Sequence, residues 1–134
     1  MSERLPAREG ESIRRDRVLS FTLDGRRMHA FEGDTVGSAV AAAGIEITGR
    51  SFKYHRPRGL SCMTGSCPNC LMRVDGIPNV RACTEPVRDG MRVERQNAWP
   101  SADRDVHGWL DRFSFMMPSG FYYKVFQRPR WKTL

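Results

Sequence analysis

CMTGSCPNC at residues 62 to 70, followed by LMRVDGIPNVRAC at 71 to 83, is the stretch on which the reading of this chain turns. Its cysteines are spaced C-x4-C-x2-C-x12-C, and the first three have the plant-type ferredoxin spacing for a 2Fe-2S cluster. Two adjacent irons need soft thiolates on both sides. Three must therefore come from one tight loop and the fourth from an element that turns back over it. Between Cys70 and Cys83 the segments LMRV and IPNVRAC flank Asp75-Gly76, a dipeptide that closes a two-residue hairpin because both turn positions need positive φ. Such a hairpin returns Cys83 to the loop, so the expected metal ligands are Cys62, Cys67, Cys70 and Cys83. Ser61, Thr64, Gly65, Ser66 and Asn69 are small or polar, which lets the loop aim backbone N–H groups at anionic sulfur. Thr64, Gly65 and Ser66 are the expected cluster-lining residues, with Gly65 at the tight turn.

Three other uses of the cysteines fit less well. A four-cysteine zinc module usually presents two C-x2-C knuckles, and here only Cys67 and Cys70 make one. A redox dithiol formed by that pair leaves Cys62 and Cys83 unexplained and lacks a surrounding βαβ pattern. His29, His55 and His107 are scattered, at no spacing that replaces a cysteine pair in a Rieske centre.

Working outward, VLSFTL, Asp24-Gly25 and RRMHAF predict a first hairpin from residue 18 to 31. Asp34 is expected to cap a helix over Thr35 to Ala43, where Val36, Ala39, Val40 and Ala43 share a face and Gly44 supplies the stop. GRSFKYHRPRGLS at 49 to 61 reads as a basic loop. Its Arg50, Lys53, His55, Arg56 and Arg58 place positive charge before Cys62, which would favour a reduced, more negative cluster and attract an acidic docking face. Gly90 to Arg95 reads as a last strand. Together these elements predict an α+β fold of the β-grasp, 2Fe-2S ferredoxin-like kind over residues 18–98, with a flexible N-terminal arm at 1–17.

Residues 99–134 differ in texture. Nine of the thirteen aromatic residues lie there, among prolines and glycine and without periodicity. They could cover their own domain, but exposed aromatics and Arg are also what interface centres use, so the segment is read as a partner-binding tail.

The 134 residues suit one domain, and no apolar run nears the ~20 residues needed to cross a bilayer. Residues 1 to 17 lack the apolar stretch of a secretory signal, which points to the cytoplasm, where cysteines hold metal or do redox chemistry more often than they form disulfides. The net charge of +7 fits an acidic partner. Nucleic acid is not expected, because the aromatics that could stack on bases are not interleaved with the basic loop.

FEGDTVGSAVAAAG at 31 to 44 and GRSFKYHRPRG at 49 to 59 resemble the amino-terminal region of the α subunit of heterotetrameric sarcosine oxidases. WPS at 99 to 101 and GFYYKVF at 120 to 126 extend the resemblance, which runs over about residues 18 to 131. The four cysteines are a departure, since that subunit generally lacks them, and the chain looks like a free-standing version of the region. In its cysteines it is similar to the small subunits of hydrogen cyanide synthase, hydroxyproline dehydrogenase and opine dehydrogenase complexes. The resemblance implies a 2Fe-2S electron-transfer subunit among flavoprotein subunits of an amine or imino acid oxidoreductase. FAD or FMN, with NAD as a further candidate, would sit on those partners. It also implies that Cys62 and Cys67 hold one iron, and Cys70 and Cys83 the other. The competing expectation is a structural subunit, in which a cluster staples the domain and the tail scaffolds the assembly.

Overall fold

A computed structural model of the chain describes residues 4 to 116. Its strands are β1 (Arg14–Leu23), β2 (Arg26–Glu32), β3 (Gly49–Arg50), β4 (Pro57–Arg58), β5 (Leu71–Val74), β6 (Ile77–Arg81) and β7 (Arg92–Arg95). One helix, α1 (Val36–Ala42), and a 3-10 segment, Val106–Met116, complete the described elements.

Both Asp-Gly steps turn as the sequence dictates, with φ of 49° and 80° at Asp24 and Gly25 and of 49° and 85° at Asp75 and Gly76. These left-handed pairs match the twist of the strands they join, so β1 pairs with β2 and β5 with β6. The sheet order is β2-β1-β7-β5-β6. Within it β1 and β7 run parallel while the other neighbours are antiparallel, so the sheet is mixed. Phe21, Leu23, Met72, Val74 and Val93 form one buried cluster with Val36, Ala39 and Val40 of α1. This is the expected α+β, β-grasp architecture, and its core includes Cys70 and Cys83.

Several local readings need correction. Thr35, not Asp34, is the cap of α1: its hydroxyl accepts the Ser38 N–H at 3.1 Å, and the Ser38 hydroxyl accepts the Thr35 N–H at 3.0 Å. Asp34 is drawn instead into a buried ion pair with Arg4. The strand β1 begins at Arg14 rather than Val18, with a register shift between those two residues. The last strand begins at Arg92, because Gly90, at φ 74°, serves the turn and donates its N–H to the Ser20 carbonyl at 2.7 Å. The basic loop is not wholly irregular, since β3 and β4 pair across it. GFYYKVF lies outside the described residues.

Candidate metal centre

Cys70 ends the loop immediately before β5, and Cys83 stands two residues beyond β6. The hairpin joins them, with the Ala82 N–H bonding the Cys70 carbonyl at 3.1 Å. Cys62 and Cys67 lie earlier in the loop, which turns sharply through left-handed φ of 56° at Met63 and 77° at Gly65. A side chain at Gly65 would also put its Cβ 3.0 Å from the Thr84 methyl, so both conformation and space demand glycine there.

The thiols form two unlike pairs. The Cys62 and Cys67 thiols are within hydrogen-bonding reach of each other and partly exposed. The Thr64 N–H, then the Cys67 N–H, the Cys67 thiol and the Thr64 hydroxyl all point at Cys62 sulfur, and this pulls its pKa down to about 5. Cys70 and Cys83 are likewise in mutual reach but buried, 1% and 5% exposed. Burial, followed by the Cys70 thiol, pushes the Cys83 thiol up against an opposing bond from the Gly65 N–H. Four thiols gathered from one loop and its returning hairpin, with amide N–H groups aimed at Cys62 and Cys83, are a donor set whose chemistry fits two adjacent irons.

Of the residues expected around the ligands, Thr64 contributes its N–H and hydroxyl to Cys62, and Gly65 its N–H to Cys83. Ser66 is a step further out, with its hydroxyl 3.1 Å from that of Thr64.

The basic loop divides. Arg58 stays at the site, donating from Nη1 to Asn69 Oδ1 at 2.7 Å beside Cys70. Arg50, His55 and Arg56 turn instead onto the segment after Trp99. Arg50 Nε donates to the Ala102 carbonyl at 2.7 Å, His55 Nδ1 lies 2.6 Å from Asp105 Oδ2, and Arg56 Nε donates to Asp111 Oδ1 at 2.6 Å. The Asp105 carboxylate is fully buried and also accepts the Trp99 and His107 N–H groups. Burial alone would raise its pKa, but these donors outweigh that effect and hold the carboxyl below its ordinary value. Sequence reasoning missed this knot, because nothing in local spacing announces a partner 50 residues away.

Residues 16–98, spanning both hairpins and all four cysteines, match a family described as the 2Fe-2S iron-sulfur cluster binding domain. The chain belongs to that family. Among relatives of this 2Fe-2S domain, the sarcosine oxidase subunit alpha of Rhizobium meliloti is 42% identical over 139 residues, covering 99% of this chain and 14% of that one. The hydrogen cyanide synthase subunit HcnA of Pseudomonas aeruginosa is 35% identical over 79 residues, covering 59% of this chain and 75% of that one. In the crystal structure of L-proline dehydrogenase from P. horikoshii, a region superposes with a TM-score of 0.55 and 27% identity, over 66% of this chain and 17% of that one. The 2Fe-2S domain thus spans a small part of the long sarcosine oxidase subunit and most of the short HcnA subunit.

Proposed function

We propose that this chain is the electron-transfer subunit or region of a heteromeric, flavin-dependent amine or imino acid oxidoreductase. In this reading Cys62 and Cys67 hold one iron, and Cys70 and Cys83 the other. When bound, a 2Fe-2S cluster takes up and gives back single electrons. The observation that carries the reading is the gathering of four cysteines from one loop and its returning hairpin, two half-exposed and two buried, in a 2Fe-2S domain similar to subunits of known oxidoreductases.

Each group on this chain has a part suited to that work. The buried pair, set in the core between the hairpin and α1, anchors the site. The half-exposed pair leaves the other side open to an approaching partner. N–H groups of Thr64, Cys67 and Gly65 stabilise negative charge on sulfur, with Ser66 buttressing Thr64, and Arg58 adds a positive charge beside the loop. Substrate, FAD or FMN, and any NAD belong to flavoprotein partners, and the excess of basic residues suits an acidic docking face on one of them. No helix among the described residues is long and apolar enough to cross a membrane. The compartment we assign is the cytoplasm, because four cysteines proposed to hold metal suit a reducing environment.

The test is to add candidate amines and imino acids anaerobically to the assembled complex and follow the cluster spectrum. Bleaching of its visible absorption within turnover supports the relay. A spectrum that stays oxidised while the flavin is reduced assigns the domain a structural role.

A further inference from the structure

Asp34 has no exposed side-chain surface, and it stands where the sheet meets the segment carrying Cys83. Its carboxylate is saturated. Oδ1 accepts Arg4 Nη1 at 3.1 Å and the Ser38 hydroxyl at 2.7 Å, while Oδ2 accepts Arg4 Nη2 and the Phe31 N–H, the latter at 2.8 Å. Arg4 supplies the only full charge among these donors. Its guanidinium also lies 4.8 Å over the Phe31 ring, so the fork is fixed by stacking as well as by the bidentate bond.

From Asp34 the backbone is tied almost residue by residue to the run containing Cys83. The Asp34 carbonyl accepts the Val87 N–H at 2.9 Å, and Thr35 forms a bridge with Pro86. The Val36 N–H donates to the Glu85 carbonyl at 2.8 Å, and the Gly37 N–H to the Ala82 carbonyl at 2.7 Å. Contact is so close that a Cβ on Gly37 would stand 3.0 Å from the Cys83 Cα. The N-terminal end of α1 is therefore the wall against which Cys83 is held.

We propose that Arg4 is a positioning residue for Cys83, acting through Asp34 and the 34–37 backbone. The inference rests on reading Cys83 as an iron ligand. Without Arg4, a buried carboxylate is left with only neutral donors, a situation far costlier than an exposed broken pair. Movement of the 34–37 backbone is passed through these bonds to residues 82 to 87, and the spacing between Cys70 and Cys83 loosens with it.

The experiment compares the full-length, cluster-loaded chain with Arg4→Met, with Arg4→Met combined with Asp34→Asn, and with Arg95→Met. The last variant breaks ion pairs to Asp24 and Asp103 instead. Arg4→Met is expected to release iron to a chelator faster than wild type, because removal of one partner leaves an uncompensated buried charge beside the segment that holds Cys83. It should also shift the iron-to-cysteine stretching bands in the resonance Raman spectrum. Asp34→Asn should restore much of the slow release, because it removes the stranded charge. Arg95→Met should destabilise the fold without shifting those bands. Iron release and Raman bands unchanged in Arg4→Met, or changed equally in Arg95→Met, overturn the inference while leaving the function intact. An iron-free wild-type chain overturns both.

Discussion

The cysteine loop with its hairpin and the segment from Trp99 to Met116 are both held to the same domain, yet by opposite means. The loop is closed locally, since Asp75-Gly76 forces the chain back so that Cys70 and Cys83 meet within 13 residues of sequence, and its Cys83 end is in addition tied across to residues 34 to 37. The later segment is held by strangers, with Asp105 and Asp111 reaching His55 and Arg56 across 50 and 55 residues. Local turn chemistry can build a site that the sequence announces. Long-range polar pairing builds an attachment that only the folded chain reveals. Substitutions should separate the two regions, one set emptying the metal site and the other loosening the attachment.

The largest effect is expected from Cys83→Ser, which should abolish most of the visible absorption of the loaded protein while leaving the far-ultraviolet circular dichroism near wild type. Retention of the full absorption would mean Cys83 is not a ligand. Next comes Asp105→Ala, which strands the Trp99 and His107 N–H groups and the His55 ring. It should lower stability to urea by about 2 kcal/mol, the scale of two or three lost hydrogen bonds, yet leave iron content unchanged. Parallel loss of iron would erase the distinction between the regions.

Gly65→Ala combines a positive φ with a close approach to Thr84, and should cost about 1 to 2 kcal/mol, felt as slower cluster assembly more than as a changed fold. The smallest effect concerns acid. Asp34 and Asp105 both have carboxyl pKa values below the ordinary 3.8 in the folded chain; at Asp34, burial would raise it but bonds from Arg4, Phe31 and Ser38 prevail. A depressed folded pKa contributes stability that is complete above the unfolded value and fades as pH falls through the folded one. Melting temperature should therefore stay flat with respect to these groups above pH ~4 and drop below it. Asp105→Asn should show a shallower drop, and identical acid profiles would show that Asp105 carries none of the effect.

Both hairpins are legible in sequence because each depends on two adjacent residues. The helix is legible in extent but not in its cap, since Asp34 and Thr35 are both good caps and only the buried pairing with Arg4 decides between them. The parallel pairing of β1 with β7 leaves no local trace. Of the candidate site, spacing alone indicates the proposed ligands, and the flanking small residues suggest N–H groups directed at sulfur, as Thr64 and Gly65 supply. The turn of Arg50, His55 and Arg56 onto the segment after Trp99 cannot be read in the same way, because a run of basic residues looks the same whether it faces solvent or a carboxylate.

Two irons enclosed by Cys62, Cys67, Cys70 and Cys83 is the arrangement proposed for this chain. It is tested most directly by assaying iron and acid-labile sulfide in anaerobically purified protein and recording its electron paramagnetic resonance spectrum after reduction. About two irons and two sulfides per chain, with a signal that appears only on reduction, is the predicted result. Colourless protein without sulfide, or one zinc per chain in place of iron, would contradict it.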